Sequence, residues 1–507
     1  SSSSGGSSSS SSSSNTFLLH FDAVTAGKVV APLRCGAVVV ATGMTLRTAA
    51  NDDDLAAVGG YSDNVHSCSN APVALQHYEN KRVLVLGLGN SAFEWAQHVQ
   101  QVAASVHVLG RARGGLRQAY ATHYVGDLRA INNNLLDTFF LKSLDTLDIG
   151  FELRSDLVNF TKHSGGGISL NLIGGALHGS SNYREPFDYV ISCLGWRFDR
   201  DSLGFDDDIK PKFSDSTRKF AELNAAYRST NVPSLFFAGV LAHQRDARRS
   251  AGGFIHGYRY TARALFRILL LRRSRSSSGD DSGGSDIVWY GGEKRIALPS
   301  GDGDDVAVPG ATPPVVDVDY NHQQRAATVA TSILQRIQTS SGLYQMFGEL
   351  SDVMMFKDGG SASYYFEEVP LNYVGTLVSR MEKRLDGKNV HIFRLQLDYG
   401  HGGHDGYADN NQVVFYPGKA QACQFLHPII EYFFNNEKKS EYHMLEDFIT
   451  KWDVNELHFE PLRMFIQRSL RGDYRDQDTM LAEHVANVTR AGGGGTHWYY
   501  GALPKRS

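Results

Sequence analysis

An apolar strand, Val83 to Leu86, runs into Gly87-Leu88-Gly89-Asn90-Ser91-Ala92 and then into a segment with helical spacing. No other feature restricts the possible folds as much. A G-x-G-x-x-G/A pattern is weak when isolated, but between a strand and a helix each small residue has a task. Gly87 permits the tight turn, Gly89 lets the backbone approach a pyrophosphate, and Ala92 allows close helix–strand packing. The free N–H groups of Asn90 and Ser91 and the positive end of the helix then favour the phosphates. The next strand, from Ser105, ends near Leu109. An acidic residue that would bind a ribose 2′-hydroxyl is expected there, and Gly110-Arg111-Ala112-Arg113 stands in its place. Arg111 and Arg113 suit a 2′-phosphate, which favours NADP(H) over NAD(H). Glu94 reads equally as a polar residue of the helix surface.

Two apolar strands flank this module. Val38-Val39-Val40 ends in Ala41-Thr42-Gly43, with Ala37 to Ala41 expected to be buried, and Val190 to Cys193 ends in Leu194-Gly195. Strand ends of this kind are where a chain crosses between FAD and NADP domains. A third strand, Ser234 to Gly239, precedes a long helix expected to begin near Gly252-Gly253 and to turn its positive end toward a flavin. Thr42, Gly43, Gly195, Gly239, Gly252 and Gly253 are therefore candidate cofactor contacts beside Gly87, Gly89, Asn90, Ser91 and Ala92. The competing account of the long helix is simple packing, with Gly257 allowing close approach.

The fold class that follows is α/β. It is a two-dinucleotide-binding flavoprotein fold with a Rossmann-type NADP module (81–196) inserted in an FAD domain (16–80 and 197–273) that lacks its N-terminal half. The Ser/Gly tract at 1–15 cannot bury enough apolar surface to order itself. A Ser-, Gly- and Asp-rich linker spans 274–318, and 319–507 is expected to be mainly helical, with aromatic stretches such as FLHPIIEYFFNN and YHMLEDFITKW. Those stretches are read as core packing, or else as a surface for client proteins.

A net charge of −4 on 507 residues argues against nucleic acid as a partner, and no apolar run is long enough to span a bilayer. The cysteines, Cys35, Cys68, Cys193 and Cys423, form no C-x-x-C pair, which argues against a dithiol relay of that type; Cys193 reads as a small apolar residue of a buried strand. His401 and His404 lie in a Gly loop with no matching ligand pair, so no metal is expected. His123, Tyr124, Asp127 and Arg129 form a polar run that could line a nicotinamide–flavin interface but reads first as a structural network. Catalytic residues cannot be named from the pattern, because a flavin performs the hydride step itself.

The segments GLGNSAFEWA, ATHYVGDLRAINNNLLDTFFLKSLD, CLGWRFD and RRSAGGFIHGYRYTARAL resemble the FAD-dependent oxidoreductase domain-containing 2 family, flavoproteins of the endoplasmic reticulum associated with degradation. SGLYQMFGEL, FLHPII and HMLEDFITKWD extend that likeness toward the C-terminus, so that it covers most of residues 29–475. Flavin-containing monooxygenases are more distant relatives of the family. The resemblance implies FAD, reduction by NADPH, a luminal location, and a role that links misfolded client proteins to the degradation machinery. It leaves open a monooxygenase acting on small substrates and a non-catalytic scaffold for partners. Relative to the family pattern, the first FAD-binding βαβ unit, a secretory leader and a K-D-E-L-type ending are not found, and the chain is expected to be a piece of a longer protein.

Overall fold

The computed structural model describes residues 17–19, 33–46, 64–110, 147–150, 158–164, 166–172, 185–201, 203–215, 219–247, 249–276, 293–297, 318–357, 362–384, 389–399, 420–421, 423, 425–447 and 451–475. Arg111, Arg113, the run from His123 to Arg129, His401, His404, the Ser tract and most of the 274–318 linker lie outside them. The chain divides into two compact units, one formed by Thr42–Ala221 and the other by Ser1–Ala41 with Glu222–Ser507.

The first unit is built on five parallel strands: β1 (Val65–Ser67), β2 (Arg82–Leu86), β3 (Ser105–Leu109), β4 (Leu147–Gly150) and β5 (Tyr189–Ser192), in the spatial order β1-β5-β2-β3-β4. Helix α1 (Asn90–Val99) follows β2. Its Ala92, Phe93, Ala96 and Val99 pack on Val83, Val85, Val106, Val108 and Ile191. The alternate strand residues Leu84, Leu86, Leu109 and Val190 face the other way, onto Ile168 and Phe187. Burial on both faces is the usual state of a parallel sheet and explains why β2 reads as an unbroken apolar run. Strand order reverses between β2 and β5. The crevice outside the carboxyl ends of these two strands is where a sheet of this kind binds its ligand.

In the second unit Val38–Val40 pairs in parallel with β6 (Leu235–Phe237), and helix α2 (Ile255–Ser276) follows. The sequence predicts a buried strand over 37–41, but burial holds only at Val40; Val39 is 43% exposed. Among the described residues β6 is the one strand paired with it, so part of its surface stays open.

The expectation of a mainly helical C-terminal region is corrected by the structure. Five antiparallel strands form its centre, and a sixth, β7 (Glu293–Ala297), joins their sheet from the 274–318 stretch read as a linker: with β8 (Leu350–Lys357), β9 (Ala362–Pro370), β10 (Val390–Asp398), β11 (His427–Phe434) and β12 (Glu437–His443) the order is β7-β9-β8-β10-β11-β12. Helices α3 (Val318–Thr339) and α5 (Glu460–Leu470) cover one face through Val329, Ile333, Leu462 and Ile466. Helix α4 (Val374–Arg384) covers the other with Leu377, Val378 and Met381, beside Ile268 of α2. The aromatic stretch read as a helix is the β11–β12 hairpin. Asn435 and Asn436 turn it at φ +49° and +63°, both left-handed, as a two-residue hairpin turn requires. Because β8 and β11 are buried on both faces, the period-two alternation that marks a strand is erased.

The buried carboxylates of Asp352 and Glu368 tie α2 and α3 to this sheet. Arg336 donates to Asp352 at 2.5 Å, Arg263 and Arg267 reach Glu368, and the Glu368 N–H donates to Asp352 at 2.7 Å. Glu368 sits at φ +58° within a bulge opposite Asp352, and the ion pairs hold it there.

Candidate functional site

The turn after β2 has the shape its sequence predicts. Gly87 adopts φ +122°, and a Cβ there would lie 2.4 Å from the carbonyl oxygen of Cys193 at the end of β5. Its N–H donates to Leu109 O at 2.7 Å, and Cys193 N–H donates to Leu86 O at 2.7 Å. The end of β2 is thus clamped between both neighbouring strands, and only a glycine fits the clamp. Gly89 differs. It is exposed, has an ordinary extended φ of −94°, and a Cβ there would meet nothing within 4 Å. The space in front of it is open, as close approach by a phosphate requires.

Gly89 is the N-cap of α1. No side chain caps that end, and the first turn holds no acidic residue. Ala92 is fully buried against the sheet, which seats the helix end close to β2. Asn90 donates through Nδ2 to Glu94 at 2.7 Å, while its Oδ1 is buried with no hydrogen-bond partner among the described residues. That oxygen is an acceptor that a sugar hydroxyl would satisfy. An uncapped helix end, an open approach and an unsatisfied acceptor together fit a dinucleotide. The structure brings Gly87, Gly89, Asn90, Ser91 and Ala92 together; Arg111 and Arg113 fall outside the described residues. Glu94 is exposed and holds Asn90, in keeping with the surface reading.

The strand ends proposed as flavin contacts are turns of a common kind. Gly43, Gly195 and Gly239 lie at φ +77°, +88° and +67°, and Thr42 beside the first is exposed. Gly252 and Gly253 are placed differently from the expectation. Helix α2 begins at Ile255, and the two glycines form a preceding 3-10 turn. The N–H of Gly252 donates to Asp246 Oδ2 at 2.9 Å, so this donor already has a partner, and a Cβ on Gly252 would strike that carboxylate. Asp246, 1% exposed, also accepts from Ser250 Oγ at 2.6 Å and from His243 Nδ1 at 2.9 Å. Gly253 faces the His243 ring, and Gly257 lies against the backbone of Ala251, where no Cβ would fit. The close approach at Gly257 is thus to the turn before the helix, and not to the sheet. Asp246 is a site-building residue that motif reading misses; the acid four residues before Ser250 and six before Gly252 is its one signal.

Beneath this turn Glu349 accepts from the Tyr227 hydroxyl at 3.1 Å and lies 4.0 Å from Arg245 Nε. Burial pushes its carboxyl up to about 7, with the Arg245 guanidinium opposing.

A second feature that spacing conceals is the approach of Cys68 and Cys193. β1 and β5 run in parallel with Ser67 opposite Ser192, so Cys68 and Cys193 occupy the next matched position. Cys68 N–H donates to Ser192 O at 3.0 Å, and Trp95 Nε1 donates to Cys68 O at 3.0 Å.

Residues 24–239 match the family described as pyridine nucleotide-disulphide oxidoreductase. The chain is 31% identical to FAD-dependent oxidoreductase domain-containing protein 2 of Mus musculus over 87% of its own length and 63% of that relative. The protein of the same name in Danio rerio is 30% identical over 82% of the chain and 61% of the relative. The chain is a relative of FAD-dependent oxidoreductase domain-containing protein 2. It spans about three-fifths of the length of these two proteins. Ferredoxin–NADP reductase 1 of Bacillus thuringiensis (strain Al Hakam) is 26% identical over 26% of the chain and 36% of the relative. The likeness to FAD-dependent oxidoreductase domain-containing protein 2 read from the sequence is thereby shown, and with it the α/β flavoprotein fold. Among the described residues no helix is long and apolar enough to cross a membrane.

Proposed function

We propose that the chain carries the nucleotide-binding region of an FAD-dependent oxidoreductase that takes its reducing equivalents from NADPH. The observation that carries this reading is the turn Gly87 to Ala92, clamped at its first glycine and open at its second. The α1 N-terminus would hold the pyrophosphate, and Asn90 would hold a sugar hydroxyl. Arg111 and Arg113 follow β3, where a 2′-phosphate is read in folds of this type. A bound nicotinamide and flavin supply hydride chemistry; the protein binds, orients and excludes water. Thr42, Gly43, Gly195 and Gly239 shape strand-end turns on the flavin side. Asp246 fixes the turn before α2 and leaves that helix end oriented by the protein alone.

The test is a titration of the purified protein with NADPH and NADH, followed by intrinsic fluorescence. Wild type is expected to prefer NADPH, and Arg111→Ala with Arg113→Ala to remove most of the preference while sparing NADH. Equal affinity for both nucleotides in wild type overturns the NADP assignment, and no binding of either overturns the oxidoreductase reading.

The family likeness supports placing this activity in the lumen of the endoplasmic reticulum, on the route that removes misfolded proteins. Proximity labelling from the full-length protein in cells is expected to mark luminal chaperones and degradation factors. Labelling confined to cytosolic proteins would end that part of the proposal. A monooxygenase on small substrates predicts that amines or sulfides accelerate NADPH consumption. A scaffold predicts that variants unable to bind nucleotide keep their biological effect.

A further inference from the structure

The crevice at the carboxyl ends of β2 and β5 is bordered by a pair of thiols that the nucleotide reading does not use. Cys68 follows β1 and Cys193 follows β5, at matched positions on adjacent parallel strands. Neighbouring strands lie about 4.8 Å apart, inside the range of about 4.4–6.8 Å over which Cα atoms accept a disulfide. Each residue stands one position past the last paired residue of its strand, and both are held there, Cys68 N–H by Ser192 O at 3.0 Å and Cys193 N–H by Leu86 O at 2.7 Å. Both belong to the same apolar cluster, so they share a face.

The two thiols are not equivalent. Cys193 is 6% exposed; Cys68 is partly exposed. The Cys193 thiol donates to the Cys68 sulfur, and this hydrogen bond brings the Cys68 thiol down to about 7 while raising that of Cys193, which burial raises further. One sulfur is therefore accessible and about half ionised near neutral pH, and the other is held protonated behind it. This division of labour belongs to an attacking and a resolving cysteine.

We propose that Cys68 and Cys193 form a two-electron thiol–disulfide pair that exchanges with a small disulfide of the glutathione type, and that its oxidation is coupled to nucleotide occupancy. The Cys68 thiolate attacks one sulfur of the small disulfide. Its S–S bond breaks, a mixed disulfide forms on Cys68, and one thiolate leaves. Cys193 then gives up its proton and attacks the Cys68 sulfur. The intramolecular disulfide forms and the second thiolate leaves. Two protein thiols are oxidised, one small disulfide is reduced to two thiols, and the protons end on the released thiols. The coupling follows from position: the Cys193 carbonyl is the atom against which Gly87 packs, and Cys193 N–H holds the end of β2. Drawing Cys193 toward Cys68 moves the floor of the turn. The coupling rests on the nucleotide reading; the pairing does not.

The full chain is equilibrated in glutathione buffers from reducing to oxidising, trapped by alkylation and mapped by mass spectrometry. A linked Cys68–Cys193 peptide is expected to appear in one step, with two of the four thiols lost together. It should persist in Cys35→Ser and Cys423→Ser and vanish in Cys68→Ser and Cys193→Ala. Only glutathionylated Cys68, or two thiols that stay alkylable at the most oxidising ratio, overturns the pair. Repeating the series with saturating NADP+, which donates no electrons, is expected to move the half-oxidation ratio at least three-fold. An unmoved ratio with the linked peptide present overturns the coupling alone. A separate titration showing that reduced protein binds NADP+ separates that outcome from failure of the nucleotide reading.

Discussion

Two glycines of one turn are expected to respond in opposite ways to the same added methyl group. Gly87→Ala places a side chain at φ +122°, where an L residue is strained by about 1–3 kcal/mol. It also drives a Cβ to 2.4 Å from the Cys193 carbonyl, an overpacking that costs about 1–3 kcal/mol. Restricting the unfolded chain returns about 0.4–1 kcal/mol. A net loss of about 3 kcal/mol corresponds to a fall of roughly 6–12 °C in Tm for a unit of this size. Gly89→Ala meets nothing within 4 Å and keeps an ordinary φ of −94°, so only the unfolded-chain effect remains and Tm is expected to rise by roughly 1–4 °C. The same methyl occupies the approach to the helix end. Lengthening or losing a hydrogen bond to a charged phosphate costs about 1.5–3 kcal/mol, or roughly 10- to 100-fold in affinity. Scanning calorimetry and NADPH titration of the two variants give both readouts. Should Gly89→Ala bind NADPH as tightly as wild type, the space in front of Gly89 is not where the pyrophosphate lies. Should it lose stability as Gly87→Ala does, the openness of the site is refuted.

Other consequences concern the second unit. Glu349 has a folded pKa of about 7 against an ordinary 4.5, so the native state holds a proton the unfolded chain releases earlier. Its stabilising contribution is complete below 4.5 and is lost as pH rises through 7, by about 3 kcal/mol in total. Urea unfolding at pH 5 and pH 8 is expected to show this slope, flattened in Glu349→Gln; an unchanged slope in the variant removes Glu349 as its source. Asp352→Asn takes from the Arg336 guanidinium its nearest carboxylate, leaving Glu368 at 3.3 Å, and is expected to cost about 1.5–3 kcal/mol, read by the urea midpoint. A loss below 1 kcal/mol would mean that the network is solvated. Asn436→Gly, at φ +63° in the β11–β12 hairpin, is expected to raise stability by a few tenths of a kcal/mol, whereas Asn436→Val should lower it by about 1–2 kcal/mol. Equal stability of the two variants would argue against a left-handed turn there.

The legible parts of the chain were those whose cause is local. Gly87 takes a positive φ at a strand-to-helix turn, and the strand-end glycines at 43, 195 and 239 likewise take positive φ values that favour glycine. The C-terminal sheet escaped a periodicity reading because helices on both faces bury β8 and β11 throughout, leaving apolar runs with no alternation. The Asn435-Asn436 pair is the local turn signal there, beside an aromatic run of helical length. Gly252 was assigned to a cofactor because a small residue before a helix permits that role; its N–H instead serves Asp246, a partner chosen by how the turn closes.

What the amino-acid sequence determined by itself is the glycine turn after β2, the α/β class and the family likeness. These rest on short-range sterics and on residue identities that persist along the chain. The tertiary structure alone decided that the C-terminal region is a sheet, that Asp246 builds the turn before α2, and that Cys68 meets Cys193. Each of these depends on strand register and chain closure between residues distant in sequence. Such pairings are selected by the burial they achieve together, and no local pattern records which partner each residue will find.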